Sequence, residues 1–112
     1  ANDRTLRLAA AEALARARYR EGIEALERLA ADGDTTVRRQ AALVMGRTRD
    51  AGFTALLVSM LDDRSPVQQA ALESLAAIHG SEIGRANEGP SATVADQVAR
   101  WKKWNASHTR RG

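Results

Sequence analysis

The chain contains an internal repeat, and this repeat constrains its architecture more than any other feature. The segment 6–15, Leu-Arg-Leu-Ala-Ala-Ala-Glu-Ala-Leu-Ala, aligns without a gap with 37–46 and again with 67–76, at offsets of 31 and then 30 residues. Between these blocks, 22–26 aligns with 52–56 at the same spacing. A period of this size is typical of stacked supersecondary units, in which each unit buries its apolar side against its neighbours.

Apolar residues within each block recur at three- and four-residue spacing, the pattern of an amphipathic helix. In the first helix this spacing predicts an inward-facing stripe, made of Leu6, Ala9, Ala10, Ala13, Leu14 and Ala17. The segment 65–68, Ser-Pro-Val-Gln, predicts a helix that begins with a capping box. After Gly80 the periodicity stops, and it resumes only in a last helix. We therefore predict an all-α protein, an α-solenoid of stacked antiparallel helix hairpins with about six helices and no strand.

One domain is expected over residues 1–112, since this length fits a single core. Its parts follow the repeat: repeat 1 at about 3–32, repeat 2 at about 34–62, the first helix of repeat 3 at about 65–79, a loop at 80–91 and a capping helix at 92–105. Solenoids are built from variable numbers of units, so a fragment of a longer array is an open alternative.

The composition excludes several classes of chemistry. The chain has no cysteine, which removes disulfides, thiolate metal sites and cysteine nucleophiles. No apolar run approaches the length of a membrane-spanning helix and no signal peptide is visible, so a cytoplasmic location is the default expectation and the compartment stays open. The net charge of +3 is concentrated at the C-terminal end, where 91–112 hold five basic residues and one acidic residue.

The segments 34–46 and 62–67, each of which opens with a turn between repeats, resemble HEAT repeats, especially the short bacterial variety also seen in phycobilin lyases. The family pattern is an Asp or Asn turn, Val-Arg, a pair of alanines and Leu-Gly. Residues 34–46, from Asp-Thr-Thr-Val-Arg through Ala-Ala to Met-Gly, follow this pattern closely. Residues 62–67 repeat the turn, with Gln68 in place of the usual Arg. The ending, a Gly-rich loop followed by Trp-Lys-Lys-Trp at 101–104, is similar to that of some bacterial HEAT proteins.

The resemblance implies a helical solenoid that interacts with other macromolecules through the concave surface lined by its second helices. It also implies that Arg38, the Arg after Val, bonds the Asp of the adjacent turn. The candidate solvent-facing positions on the second-helix surface are Glu24, Glu27, Arg28, Thr54, Val58, Ser59 and Asp62. A second copy of the chain is a further candidate partner, because the first helix can leave Leu6, Leu8 and Leu14 exposed at the end of the stack.

Side chains with catalytic or metal-binding chemistry are present but not clustered. The only histidines are His79, at a helix end, and His108, in the tail. A metal site needs ligands at defined spacing and a general base needs a positioned partner, and neither pattern occurs. The carboxylates at 62–63 and 32–34 lie in turns between repeats, where Asp caps helices. We therefore expect no cofactor, no metal site and no catalytic residue.

The tryptophans of the last helix allow two interpretations. Trp101 and Trp104 are three residues apart, so one face of the helix can cover the open end of the last repeat as a structural cap. Alternatively, together with Arg100, Lys102 and Lys103, they form a stacking platform for a nucleic acid. The structural cap is the interpretation that a solenoid end favours, since an uncapped end exposes apolar surface.

These observations predict a non-catalytic interaction module that binds a protein. The first alternative is a nucleic-acid-binding domain that uses the Arg-rich helices and the basic C-terminal end, and salt-sensitive retention on a DNA column would favour it. The second alternative is a domain or subunit of a lyase-type enzyme, which requires a pocket with convergent polar groups.

Overall fold

The computed structural model describes residues 3–80 and 93–109, so the predicted loop at 80–91 lies almost entirely outside the described residues. Within those ranges the regular structure is helical and contains no strand. The helices are α1 (Asp3–Arg16), α2 (Arg20–Leu29), α3 (Thr35–Thr48), α4 (Thr54–Ser59), α5 (Ser65–His79) and α6 (Val94–Thr109). α1 packs on α2, α3 packs between α1 and α5, and α4 packs against α5. This stack of helices confirms the predicted all-α solenoid.

Small residues set the distances between the helices. Gly22 of α2 lies so close to α1 that a Cβ added to it would be 2.4 Å from the backbone nitrogen of Ala15. Gly46 of α3 meets α5 in the same way, with an added Cβ 2.5 Å from the Oγ of Ser74. The Ser74 hydroxyl donates a hydrogen bond of 2.6 Å to the carbonyl oxygen of Ala42. This close approach allows α3 and α5 to form the most extensive helix pair in the described part of the chain.

One aliphatic core runs through the stack. Its largest fully buried side chains are those of Leu26, Met45, Leu57, Leu61, Val67 and Leu75. The paired alanines of α3 and α5 are buried as well, at 41–42 and 70–71. Alanine at these positions keeps neighbouring first helices close, and each hairpin can then stack on the next with a small rotation.

The second half of repeat 2 is less regular than a single helix. Two 3₁₀ turns, Ala51–Phe53 and Met60–Asp62, flank α4, which has only six residues. The last helix α6 packs across α4, and its Trp101 is 2% exposed. α6 extends from Val94 to Thr109, two residues later at its start and four later at its end than predicted. It therefore closes the second-helix side of repeat 2.

The capping box predicted at 65–68 is wrong. Ser65 is already the first residue of α5, and its predecessor Arg64, with an extended backbone, makes no side-chain capping bond. The side chain of Gln68 instead donates from Nε2 to the carbonyl oxygen of Leu61, at 3.0 Å. The helix starts one residue earlier than a capping box requires. The side chain of Gln68 therefore bonds the preceding turn and holds α5 against it.

Candidate functional site

Repeat 1 exposes the side of α1 that the repeat pattern predicted to be buried. Leu6 and Leu14 are 67% and 38% exposed, whereas α1 buries Leu8, Ala11 and Ala15. The predicted inward stripe is therefore wrong for α1, because its members are all exposed: Leu6, Ala9, Ala10, Ala13, Leu14 and Ala17.

The position of α1 in the stack explains this difference. Leu6 aligns with Val37 and Val67, which are 4% and 0% exposed, and Leu14 aligns with the fully buried Met45. The helix α3 is packed between α1 and α5, but within the described residues α1 has a first helix on one side only. The exposed side of α1 carries Leu6 and Leu14, and we call it the open face. It is thus the surface on which another helical unit would stack.

The open face continues into a groove between α1 and α2, with a volume of about 470 Å³. Aliphatic residues form its floor, namely Ala10, Ala11, Leu14, Ala25 and Leu29. Charged side chains stand around it, namely Arg7, Arg28 and Asp32. An apolar centre surrounded by a polar rim is the usual organisation of a surface that binds another protein.

The structure leaves five of the seven candidate surface residues exposed and buries the other two. The exposed ones are Glu24, Glu27, Arg28, Ser59 and Asp62. Thr54 and Val58 are 7% and 6% exposed, so the prediction that they face solvent is wrong. Both belong to α4, and α6 packs on that helix.

The residues around α6 show why this part of the second-helix surface is closed. The Oγ1 of Thr54 lies 2.7 Å from the Nε2 of His79, and the His79 ring contacts the rings of both tryptophans, with centroids 5.5 and 4.6 Å apart. Lys102 forms an ion pair with Asp62. Trp101 is buried, as a structural role requires, and Trp104 is half-buried. These side chains pack α6 onto α4 and the end of α5.

An arginine–carboxylate pair connects repeat 2 to repeat 3. Arg38 donates to both carboxylate oxygens of Asp63, at 2.8 Å from Nε and 3.0 Å from Nη2, and to the carbonyl oxygen of Asp32 at 2.8 Å. This contact confirms the bond between Arg38 and the next turn that the resemblance implies. The hydrogen bond from Arg38 lowers the pKa of Asp63 and raises that of Arg38 itself.

A second pair, which the sequence did not reveal, connects repeat 1 to repeat 2. Arg47 of α3 donates from Nε and Nη2 to the two carboxylate oxygens of Glu12, both at 3.0 Å. Arg16 approaches the same carboxylate at 3.5 Å. The hydrogen bond from Arg47 lowers the pKa of Glu12, so this carboxylate is ionised at neutral pH. Glu12 and Arg47 are 35 residues apart in the sequence, so their pairing can be predicted only once the stacking of α1 on α3 is known.

The remaining candidate groups have structural partners. Asp34 accepts a hydrogen bond of 2.8 Å from the backbone nitrogen of Thr36 and so caps α3. His79 is held by Thr54 and the tryptophans, and the side chain of His108 lies outside the described residues. In the described part of the chain, no group of three or more His, Asp or Glu side chains could hold a metal ion. No described helix is both long enough and apolar enough to cross a membrane.

Comparison with models of protein families gives a match. A family model described as HEAT repeats matches residues 1–76, which is more than half of the chain. The matched range contains α1 to α4 and most of α5, and it ends before α6. Comparisons with curated proteins and with solved structures gave no match.

Proposed function

The chain belongs to the HEAT-repeat family, and from that membership we propose that it is a non-catalytic module that binds a protein partner. HEAT repeats are commonly protein-interaction modules. We assign the partner to the open face of repeat 1 and the adjoining exposed side of α2, which carries Glu24, Glu27 and Arg28. The proposed binding surface thus lies nearer the N-terminal end of the stack than the predicted second-helix surface, because α6 covers α4.

The observation that supports the proposal is the exposure of two leucines at positions that repeats 2 and 3 bury. Burying one exposed leucine side chain contributes about 1.5–3 kcal/mol. Leu6 and Leu14 are 67% and 38% exposed, which is about the area of one leucine, so together they would contribute about 1.5–3 kcal/mol to binding. Association costs about 4–15 kcal/mol in lost translational and rotational freedom. The two leucines therefore form the centre of the interface, and a stable complex must also cover the alanine floor and the charged rim of the groove.

The stack itself indicates the shape of a partner that fits the open face. In the α3–α5 pair, Ala42 and Gly46 of one helix lie against Ser74 of the other. Small residues four apart let the two helices approach closely. A partner helix that presents small residues at this spacing would pack on α1 in the same manner as α3 packs on α5.

The C-terminal end and the open face do not support the two alternatives. A nucleic-acid platform at the C-terminal end would require exposed tryptophans and unpaired basic residues, but Trp101 is buried and Lys102 pairs with Asp62. A lyase-type site would require convergent polar groups in a pocket. The groove of the open face has instead a floor of Ala and Leu.

The proposal can be tested by site-specific crosslinking followed by an affinity measurement. A photo-crosslinking amino acid replaces Leu6 in one variant and the exposed Gln69 of α5 in another, and each is irradiated in cells. We expect one protein to be captured from position 6 and not from position 69. The purified protein should then bind the wild-type chain, and Leu6→Lys should weaken binding about tenfold or more because a lysine ammonium resists burial.

A matched control is Val94→Lys, which places the same charge on an aliphatic residue that is 40% exposed at the start of α6. This variant should bind the captured protein with wild-type affinity. Equal losses in Leu6→Lys and Val94→Lys, or no protein captured from position 6, would remove the open face as the binding site. Sedimentation of the purified chain distinguishes a second copy from a different protein as the occupant.

A further inference from the structure

The surface formed by the first helices carries a second groove, which the proposed function does not use. One part of it, about 390 Å³, lies along α3 and α5, and the other part, about 360 Å³, lies between α1 and α3. Both parts are lined by Leu43 and Arg47 of α3. The two parts thus adjoin at these residues on the surface of three helices, and together we call them the first-helix groove.

The first-helix groove is basic. Four arginines and two carboxylates line it, namely Arg16, Arg39, Arg47 and Arg49 against Glu12 and Glu73, which leaves two positive charges in excess. Arg47 is neutralised by its two hydrogen bonds to Glu12. The guanidinium groups of Arg39 and Arg49 form no ion pair or hydrogen bond with any residue in the ranges 3–80 and 93–109. These two arginines are available for an anionic ligand.

The backbone of Arg49 has a conformation that also suits glycine. Arg49 follows α3 in the left-handed conformation, with φ 57° and ψ 26°. The equivalent residue of repeat 1, Arg18, also has a positive φ, of 66°. Glycine is the residue that this position favours, because a Cβ is strained there. The substitution Arg49→Gly therefore removes the guanidinium group without straining the backbone.

The lining also indicates the chemical class of the ligand. Leu43 is half-buried in the middle of the groove, with Leu8, Ala9 and Val44 beside it, so the floor is aliphatic. None of the described lining residues is aromatic, and a single-stranded nucleic acid would find no ring on which to stack its bases. An acidic peptide with an aliphatic side chain matches both the charge and the floor.

We propose that the first-helix groove binds an acidic peptide segment in which an aliphatic residue lies between carboxylates. The aliphatic side chain packs on Leu43, and the carboxylates pair with Arg39 and Arg49. Arg39, Leu43 and Arg47 are four residues apart along α3, so they share one side of that helix. Arginine is suited to this role because its guanidinium group donates two parallel hydrogen bonds to one carboxylate.

The probe for the test is a fluorescein-labelled peptide of alternating Glu and Leu residues, titrated with the full chain and followed by fluorescence anisotropy. We expect saturable binding that weakens as salt is added. Arg39→Gln and Arg49→Gly should each weaken it about tenfold, the loss expected for one charge-assisted contact. Arg49→Gly is informative because glycine suits the left-handed backbone, so lost binding cannot result from a weakened fold.

Two control variants show whether a loss of peptide binding is specific to the first-helix groove. Arg20→Gln removes an exposed arginine outside the groove and should bind the peptide as the wild type does. Leu6→Lys, which tests the open face, should also leave peptide binding unchanged. Loss of binding in Arg20→Gln equal to that in Arg39→Gln, no binding of the peptide at low salt, or tighter binding of a DNA oligonucleotide than of the peptide would each overturn the proposal.

Discussion

A single methyl group added at Gly46 should separate α3 from α5. The substitution Gly46→Ala places a Cβ 2.5 Å from the Oγ, 2.6 Å from the Cβ and 2.8 Å from the Cα of Ser74. An ordinary contact between such atoms is about 3.5–4.0 Å, so the helices must move apart by about 1 Å. The hydrogen bond from Ser74 to the carbonyl oxygen of Ala42 lies at the same contact and would be stretched.

The expected net effect follows from two opposing contributions. Alanine favours the helical state over glycine by about 1 kcal/mol. Overpacking a core costs about 1–3 kcal/mol, and a clash with backbone falls at the upper end or above because no rotamer change relieves it. We therefore expect Gly46→Ala to lower the free energy of unfolding by about 2 kcal/mol. With an unfolding entropy of about 2.1 cal/mol/K per residue, this corresponds to a decrease of about 8 °C in the Tm of the 112-residue chain.

The assay is thermal and urea unfolding followed by circular dichroism. Gly33→Ala is the matched control, since an added Cβ at Gly33 meets no atom within 4 Å. It should change the Tm by no more than about 2 °C, in line with an ordinary surface substitution. The second variant, Gly46→Ala with Ser74→Gly, removes two of the three close atoms and should recover part of the loss. A Gly46→Ala chain as stable as the Gly33→Ala chain would refute the close packing of α3 on α5.

Three further predictions concern α6, the repeat-linking pairs and nucleic acid. Trp101→Ala should lower the free energy of unfolding by about 3–5 kcal/mol, and Trp104→Ala should lower it less because Trp104 is half-buried. Thermal midpoints that do not change in either variant would contradict a structural role of α6. The pKa of Asp63 is lower in the folded state, so its pairing with Arg38 stabilises the fold above the unfolded pKa, and this stabilisation is lost as the pH falls through the folded pKa. The urea midpoint of the wild type should therefore decrease below about pH 5, and that of Arg38→Gln should decrease less steeply. Deleting 106–112 should leave the fold intact. In an anisotropy titration, the wild type should bind DNA no tighter than about 10 μM near physiological salt, and sub-micromolar binding would favour the nucleic-acid alternative.

The sequence predicted the architecture because the repeat depends on local spacing. Val37 and Val67 occupy equivalent positions of repeats 2 and 3, as do Ala41 and Ala71, and all four are buried. The same logic failed for α1, since Leu6 has the correct spacing but no neighbouring unit in the structure to cover it. A periodic stripe indicates which side of a helix can be buried, and only the tertiary arrangement decides whether it is.

The candidate surface was predicted less well, because it depends on contacts between distant segments. Thr54 and Val58 face outward on the repeat pattern, yet α6 returns from about 40 residues away to cover them. The Arg47–Glu12 pair escaped prediction for the same reason, while the Arg38–Asp63 pair followed from the family pattern. Helix formation could be predicted from the sequence, whereas the packing between distant segments could not.

Repeat 1 has an open face while the equivalent positions in the later repeats are closed, and this contrast can be measured directly. The chain has no cysteine, so Leu6→Cys, Val37→Cys and Val67→Cys each introduce a single thiol at one repeat position. The rate of labelling by a thiol reagent in the native protein measures the exposure of each. We predict labelling at position 6 close to the rate of an unfolded peptide, and labelling about a hundredfold slower or more at 37 and 67, where the chain must first open locally. Equal rates at all three positions, or a protected thiol at position 6 in dilute protein, would contradict the open face.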